Sequence, residues 1–164
     1  YQSFVRNYTP VVGVGQPQIL FFGDFTDASS RQVWQKLMAV KATAEFTLAW
    51  KNFPAAVSDT SRRAGLSALC ANAQNKFLDY ADLLFANQND LGIANLRALA
   101  EQAGLDLDAF GACLNDERML QLLGQDLADG QNLMIDRAPY LFVGNSRVEN
   151  GQIDELEKII ESER

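Results

Sequence analysis

The chain contains no histidine. Its absence removes the commonest metal ligand, the side chain most often used as a general base, and any Ser-His or Cys-His nucleophile built within this chain. Cations are also scarce: 14 Lys plus Arg stand against 21 Asp plus Glu, for a net charge of -7 and a pI near 4.5. Nucleic acid is therefore not an expected partner, since backbone binding relies on basic side chains that displace counterions. Long apolar runs are lacking too. None approaches the ~20 residues a membrane helix needs, and Ile19 to Phe22 suits a buried strand instead, so no membrane insertion by this domain is expected. Cysteine is limited to Cys70 and Cys113, so no Cys-x-x-Cys exists. Composition alone leaves one disulfide and two buried thiols equally open. Asp24 and Asp27 supply two carboxylates without a third ligand, and neither a metal nor a cofactor is expected. The sequence opens on Tyr1 and not on methionine, which leaves a preceding leader, anchor or further domain as an open expectation.

What is present suffices for one core. With 48% hydrophobic residues over 164 positions, the chain reads as a single α/β domain spanning residues 1–164. Tyr8 to Pro17 carries two prolines and two glycines and reads as a leading loop. Gln18 to Gly23 is an apolar run typical of a central strand. From Ser29 onward Val33, Trp34, Leu37 and Met38 recur at helical spacing, with Thr26 or Asp27 placed to cap the helix. Between Glu45 and Trp50 the alternation of Phe46, Leu48 and Trp50 predicts a second strand, closed by Asn52-Phe53-Pro54. Strand, helix and strand imply parallel pairing through a right-handed crossover.

From Ser58 to Gly130 the apolar residues repeat at three and four, as in Leu66, Leu69, Cys70, Ala73 and Phe77, and four or five short helices fit. Gly104, Asp106, Asn115 and Asp116 supply breaks and caps. Phe77, Tyr80, Phe85 and Phe110 are expected in the core. Tyr140 to Val143, a Gly144-Asn145 turn and Arg147 to Glu149 predict a hairpin, and Ile153, Leu156, Ile159 and Ile160 predict a closing amphipathic helix. Its acidic face, Glu155 to Glu163, is expected to be solvated.

This order of elements is the layout of a thioredoxin fold with an all-helical insertion, and local sequence agrees at four places. Phe22-Gly-Asp-Phe-Thr-Asp-Ala-Ser-Ser-Arg31 looks like a strand-to-helix segment of the DsbA-like family. Lys51-Asn-Phe-Pro54 looks like the end of its second strand, and Gln74-Asn-Lys-Phe-Leu-Asp-Tyr-Ala-Asp-Leu-Leu-Phe85 like its insertion motif. Arg137-Ala-Pro-Tyr-Leu-Phe-Val143 is similar to its Thr-Pro loop and following strand. Over nearly the whole chain the sequence thus resembles the DsbA-like thiol-disulfide oxidoreductases. The resemblance implies a core of residues 1–57 and 131–164 and a helical insertion of residues 58–130.

The family places a Cys-x-x-Cys at the start of the first helix, where the helix N-terminus lowers a thiol pKa. Here the matching positions are Asp27, Ala28, Ser29 and Ser30. Phe21 stands where the family carries an acidic residue, and Ala138 where it carries the threonine before its cis proline. No sulfur chemistry is expected at this loop, and a serine hydroxyl without a histidine is too weakly acidic to replace it. Asp27 is then an N-cap whose fixed charge also stands in for the thiolate, while Ser29 and Ser30 satisfy first-turn amides.

The resemblance further implies a cis bond before Pro139 and a groove that pairs with an extended peptide, its candidate residues being Asp27, Ser30, Ala138, Pro139 and Tyr140. It also favours a Cys70–Cys113 disulfide. The expected role is a redox-inactive, chaperone-like or assembly module that binds an unfolded or partner protein in the bacterial periplasm or cell envelope. Two alternatives stand beside it. One is an oxidoreductase that uses Cys70 and Cys113 or a partner's thiols, and the other is a structural domain of a larger envelope protein.

Overall fold

The computed structural model describes residues 2–54 and 58–164. Among them, five strands form one sheet: β1 (Val11–Val12), β2 (Gln18–Gly23), β3 (Thr47–Asn52), β4 (Tyr140–Val143) and β5 (Ser146–Val148), in the order β1-β3-β2-β4-β5. β2 takes the centre because its side chains are apolar toward both faces, and five of its six residues are buried. It runs parallel to β3, with Ile19 opposite Leu48 and Phe21 opposite Trp50, and antiparallel to β4, with Phe21 opposite Leu141. The period of two sorts these residues between two cores. Ile19, Phe21, Leu48, Trp50, Leu141 and Val143 enter the larger one, while Leu20, Phe22, Ala49 and Phe142 enter a smaller one with Phe53 and Ile135.

α1 (Ala28–Lys41) connects β2 to β3, and its Val33, Trp34 and Leu37 are buried, as their spacing predicts. The closing helix is shorter than expected: a 3-10 turn over Asn150–Glu155 precedes α7 (Leu156–Ser162), in which Leu156 and Ile160 are buried. The insertion contains α2 (Asp59–Ala73), α3 (Phe77–Ala86), α4 (Ile93–Gln102), α5 (Leu107–Leu114) and α6 (Glu117–Asn132). α6 continues two residues past the boundary drawn at Gly130, and the other boundary, at residue 57, lies outside the described residues.

Two expectations are corrected. The leading loop contains the edge strand β1, which is too short to show alternation between Pro10 and Gly13. β3 begins later and continues through Lys51 and Asn52, two polar residues that look like a strand end yet are 0% and 2% exposed. They remain in the sheet because each has a buried partner, described below.

Insertion and sheet share one core. Trp50 packs at 4.6 Å from Phe25 and 5.9 Å from Phe85, and Trp34 lies 5.6 Å from Phe85, measured between ring centroids. The Trp34 indole N–H donates to Asp82 Oδ1 at 2.7 Å, joining α1 to α3. Tyr80 and Phe110 are buried against each other, and the Tyr80 hydroxyl donates to the Leu96 carbonyl. Cys70 on α2 is bonded to Cys113 on α5, with Cα atoms 5.8 Å apart, so the pairing favoured by family resemblance is present and the two-thiol alternative is not.

Three insertion helices end in the same way. After α2, α4 and α6 the next-but-one residue is left-handed, being Asn75 (φ 59°), Gly104 (φ 80°) and Met134 (φ 60°). Each is flanked by the paired six-to-one and five-to-two hydrogen bonds of a Schellman turn. Glycine or asparagine tolerates that conformation, and methionine there is unusual.

Candidate functional site

The loop from Asp24 to Ser30 is held by its own polar groups. Asp27 is extended (φ -91°, ψ 126°) and its Oδ2 accepts the Ser30 backbone N–H at 2.5 Å, so it is the N-cap of α1. Asp24 Oδ1 accepts both the backbone N–H and the hydroxyl of Thr26 at 2.8 Å, and the Asp24 N–H donates to Ser30 Oγ at 3.2 Å. From the insertion, the Gln88 amide donates to the carbonyls of Phe25 and Asp27 at 2.8 and 2.9 Å. Ala28 and Ser29 are exposed, Asp27 is half-buried, and Ser30 is fully buried. At Asp27, Ala28, Ser29 and Ser30 the loop offers one carboxylate and two hydroxyls, with no sulfur.

Opposite this loop the Ala138–Pro139 bond is cis. Between the two lies an open groove of about 670 Å³. One side consists of Asp24, Thr26 and Asp27 from the loop, and the other of Ile135, Asp136, Arg137 and Ala138 from the segment before β4. Phe53 and Pro54, just after β3, and Leu127 and Gln131, one turn apart on α6, complete the lining. Gly130 makes this arrangement possible, because a Cβ there would collide with the Phe53 ring and drive it from α6.

Of the five binding candidates, Asp27 and Ala138 line the groove. Ser30 turns inward to Asp24, Pro139 is buried behind Ala138, and Tyr140 lies half-buried with its ring 5.3 Å from Phe142. The α6 wall and Asp136 were not anticipated. Leu127 and Gln131 carry a signal in hindsight: they are i and i+4 on a helix whose buried residues, Leu123, Asp126, Asp129 and Gly130, follow another stripe.

That other stripe holds a buried charge cluster. Lys51 Nζ lies 2.5 Å from Asp126 Oδ1 and 2.9 Å from Asp129 Oδ2, and it donates to the Phe4 carbonyl at 3.2 Å. Arg6 grips Asp129 with both terminal nitrogens. Asp126 Oδ2 accepts the Asn52 backbone and side-chain N–H groups at 3.1 and 3.2 Å, and Asn52 Oδ1 accepts the Trp50 indole N–H at 2.9 Å. Burial pushes the Asp126 carboxyl up, against the opposing pull of Lys51 and Asn52. For Asp129 burial acts the same way but is outweighed by the Arg6 and Lys51 hydrogen bonds, so this carboxyl lies below the ordinary range. The Tyr8 hydroxyl beside them is pushed up to about 12, by burial first and by the Asp126 charge second.

Among the described residues, no group of three or more His, Cys, Asp or Glu side chains is placed to hold a metal, and no helix is long and apolar enough to cross a membrane.

A β-α-β unit, a helical insertion, a hairpin and a closing helix, with a groove between the start of α1 and a cis proline, define a thioredoxin fold of DsbA-like layout. The family model described as thioredoxin matches residues 30–162, and the chain belongs to that family. Among curated proteins it is similar to the Na(+)/H(+) antiporter NhaA 3 of Salinispora tropica, 33% identical over 101 residues. It is also similar to NhaA 1 of Salinispora arenicola, 34% identical over 102 residues. Each match takes in 60% of this chain, and the chain spans about 15% of the length of these relatives.

Among solved structures, a thioredoxin-like oxidoreductase from Silicibacter pomeroyi superimposes with a TM-score of 0.83 at 20% identity, covering 97% of this chain and 94% of that one. The thiol-disulfide exchange protein α-DsbA2 of Wolbachia pipientis gives 0.85 at 16%, with 95% and 87% covered. The catalytic domain of Proteus mirabilis ScsC gives 0.82 at 17%, with 99% and 93% covered. At these identities the likeness is one of fold.

Proposed function

We propose that this protein is a redox-inactive thioredoxin-fold module that binds extended polypeptide in the groove between Asp27 and Ala138, as a chaperone-like or assembly domain in an extracytoplasmic compartment. One observation carries the proposal: the groove is open and lined, yet a carboxylate that caps its own helix stands where thiol exchange needs a sulfur. The DsbA-like layout and the Cys70–Cys113 bond support that compartment, since such bonds persist where the surroundings oxidise. Neither cysteine lines the groove, which counts against that pair as the working dithiol of an oxidoreductase.

Insulin reduction by the full chain tests the redox half. No turnover above background is expected, whereas installing both thiols, as Asp27→Cys with Ser30→Cys, is expected to create it. Turnover by the unmodified chain that disappears in the Cys70→Ala, Cys113→Ala variant would overturn the inactive assignment in favour of that pair as the working dithiol. Amide shift mapping with unfolded polypeptide tests the other half: shifts are expected at Asp27, Asp136 and Ala138, and shifts confined to a remote face would remove the groove from consideration.

The two antiporter relatives favour a second reading, in which this domain belongs to a larger membrane-transport protein of the envelope. An antibody against the domain distinguishes the cases. A band well above 18.1 kDa in the membrane fraction supports that reading, and a free band of that mass excludes it.

A further inference from the structure

We infer that the groove selects polypeptide segments that place a lysine or arginine beside an apolar side chain. This inference rests on the peptide-binding proposal and adds the chemistry of the occupant. Part of the lining is apolar, formed by Phe53, Pro54, Leu127 and Ile135. The walls bring the half-buried Asp27 carboxylate and the exposed Asp136 carboxylate against one cation, Arg137, within a chain of net charge -7. A cationic side chain meets complementary charge there, and an acidic one meets repulsion. The N-terminus of α1 would otherwise favour an anion, but the Asp27 carboxylate already occupies it at 2.5 Å from the Ser30 N–H.

The test uses the full chain and three extended peptides that share one apolar sequence and carry Lys, Gln or Glu at a single position, titrated by amide shifts. At low salt the Lys peptide is expected to bind about fivefold tighter than the Gln peptide, and the Glu peptide weaker than both. High salt is expected to compress that order. Asp136→Asn and Asp27→Asn are each expected to reduce the Lys preference, asparagine being an adequate N-cap. Met134→Gly, outside the groove lining, is expected to raise Tm because it relieves the left-handed strain, and to leave the order of the three peptides unchanged. Equal binding of the three peptides in the groove at low salt, or a preference for Glu, overturns the charge selection and leaves the peptide-binding proposal intact. Failure of every peptide to shift the groove residues removes that proposal and this inference together.

Discussion

α6 presents two faces that handle carboxylates in opposite ways. Toward the sheet, Asp126 and Asp129 are 1% and 2% exposed and enclose the fully buried Lys51. Toward the groove the helix contributes only Leu127 and Gln131, and the carboxylates come from neighbouring loops, with Asp27 half-buried and Asp136 exposed. On the first face each charge is neutralised by a side chain of the same molecule, and removing any partner strands the rest. On the second, the charges sit where water or a ligand reaches them. Buried charge of this kind is architecture; charge around an open groove stays in contact with solvent.

The strongest way to break the contrast is Lys51→Met. It leaves two buried carboxylates without their shared cation, and a loss of about 3–5 kcal/mol in urea unfolding is expected. Adding Asp126→Leu is expected to restore part of the loss, because the second change removes the stranded charge. A loss below about 1 kcal/mol for the single variant would show that the cluster is not structural.

Next in size is the covalent tie on the far side of the insertion. Cys70→Ala with Cys113→Ala opens a link between residues 43 apart in sequence, and about 2–4 kcal/mol is expected to disappear. Groove shifts with peptide are expected to survive in whatever fraction remains folded.

Asp27 bridges the two categories, since it is both a cap and a groove wall. Asp27→Ala is expected to destabilise by about 1 kcal/mol, and Asp27→Asn by far less, because the amide oxygen still accepts the Ser30 N–H. Asp136→Asn should be the mildest change, within about 0.5 kcal/mol, as befits an exposed side chain.

Acid unfolding sharpens the comparison from within the buried face. An unfolded aspartate titrates near ~3.9. Asp129 lies lower when folded, so its contribution is present above the unfolded value and is lost as pH falls through the folded one. Asp126 lies higher, so ionising it opposes folding, and that penalty fades on acidification. Urea midpoints measured from neutral to acid pH are expected to fall less steeply in Asp129→Asn than in the unmodified chain.

Features written locally were legible in the sequence. β2, α1 and the β4–β5 hairpin follow from period and turn chemistry, and position before the apolar stripe of α1 narrowed its cap to Thr26 or Asp27, of which Asp27 is the one that caps. β1 was missed because two residues cannot display a period. Lys51 and Asn52 looked like a strand terminus, since their partners Asp126 and Asp129 lie more than 70 residues away and nothing local marks them as buried. Of the groove lining, only Asp27 at the start of α1 and Ala138 before β4 were foreseeable, and both through family resemblance. Its α6 wall was not, because it depends on how the last insertion helix settles against Phe53. Met134 was invisible for a similar reason: its counterparts Asn75 and Gly104 occupy equivalent turns with residues that announce them, and methionine announces nothing.

One amide links regions that the sequence keeps more than 60 positions apart. Gln88 belongs to the insertion, just beyond α3, yet it grips the backbone on which Asp27 stands. The insertion is therefore not an interchangeable cassette on a finished platform. Exchanging it wholesale for the helices of another family member would leave two carbonyls of the groove's lip without their anchor, and the shape of that lip would travel with the graft.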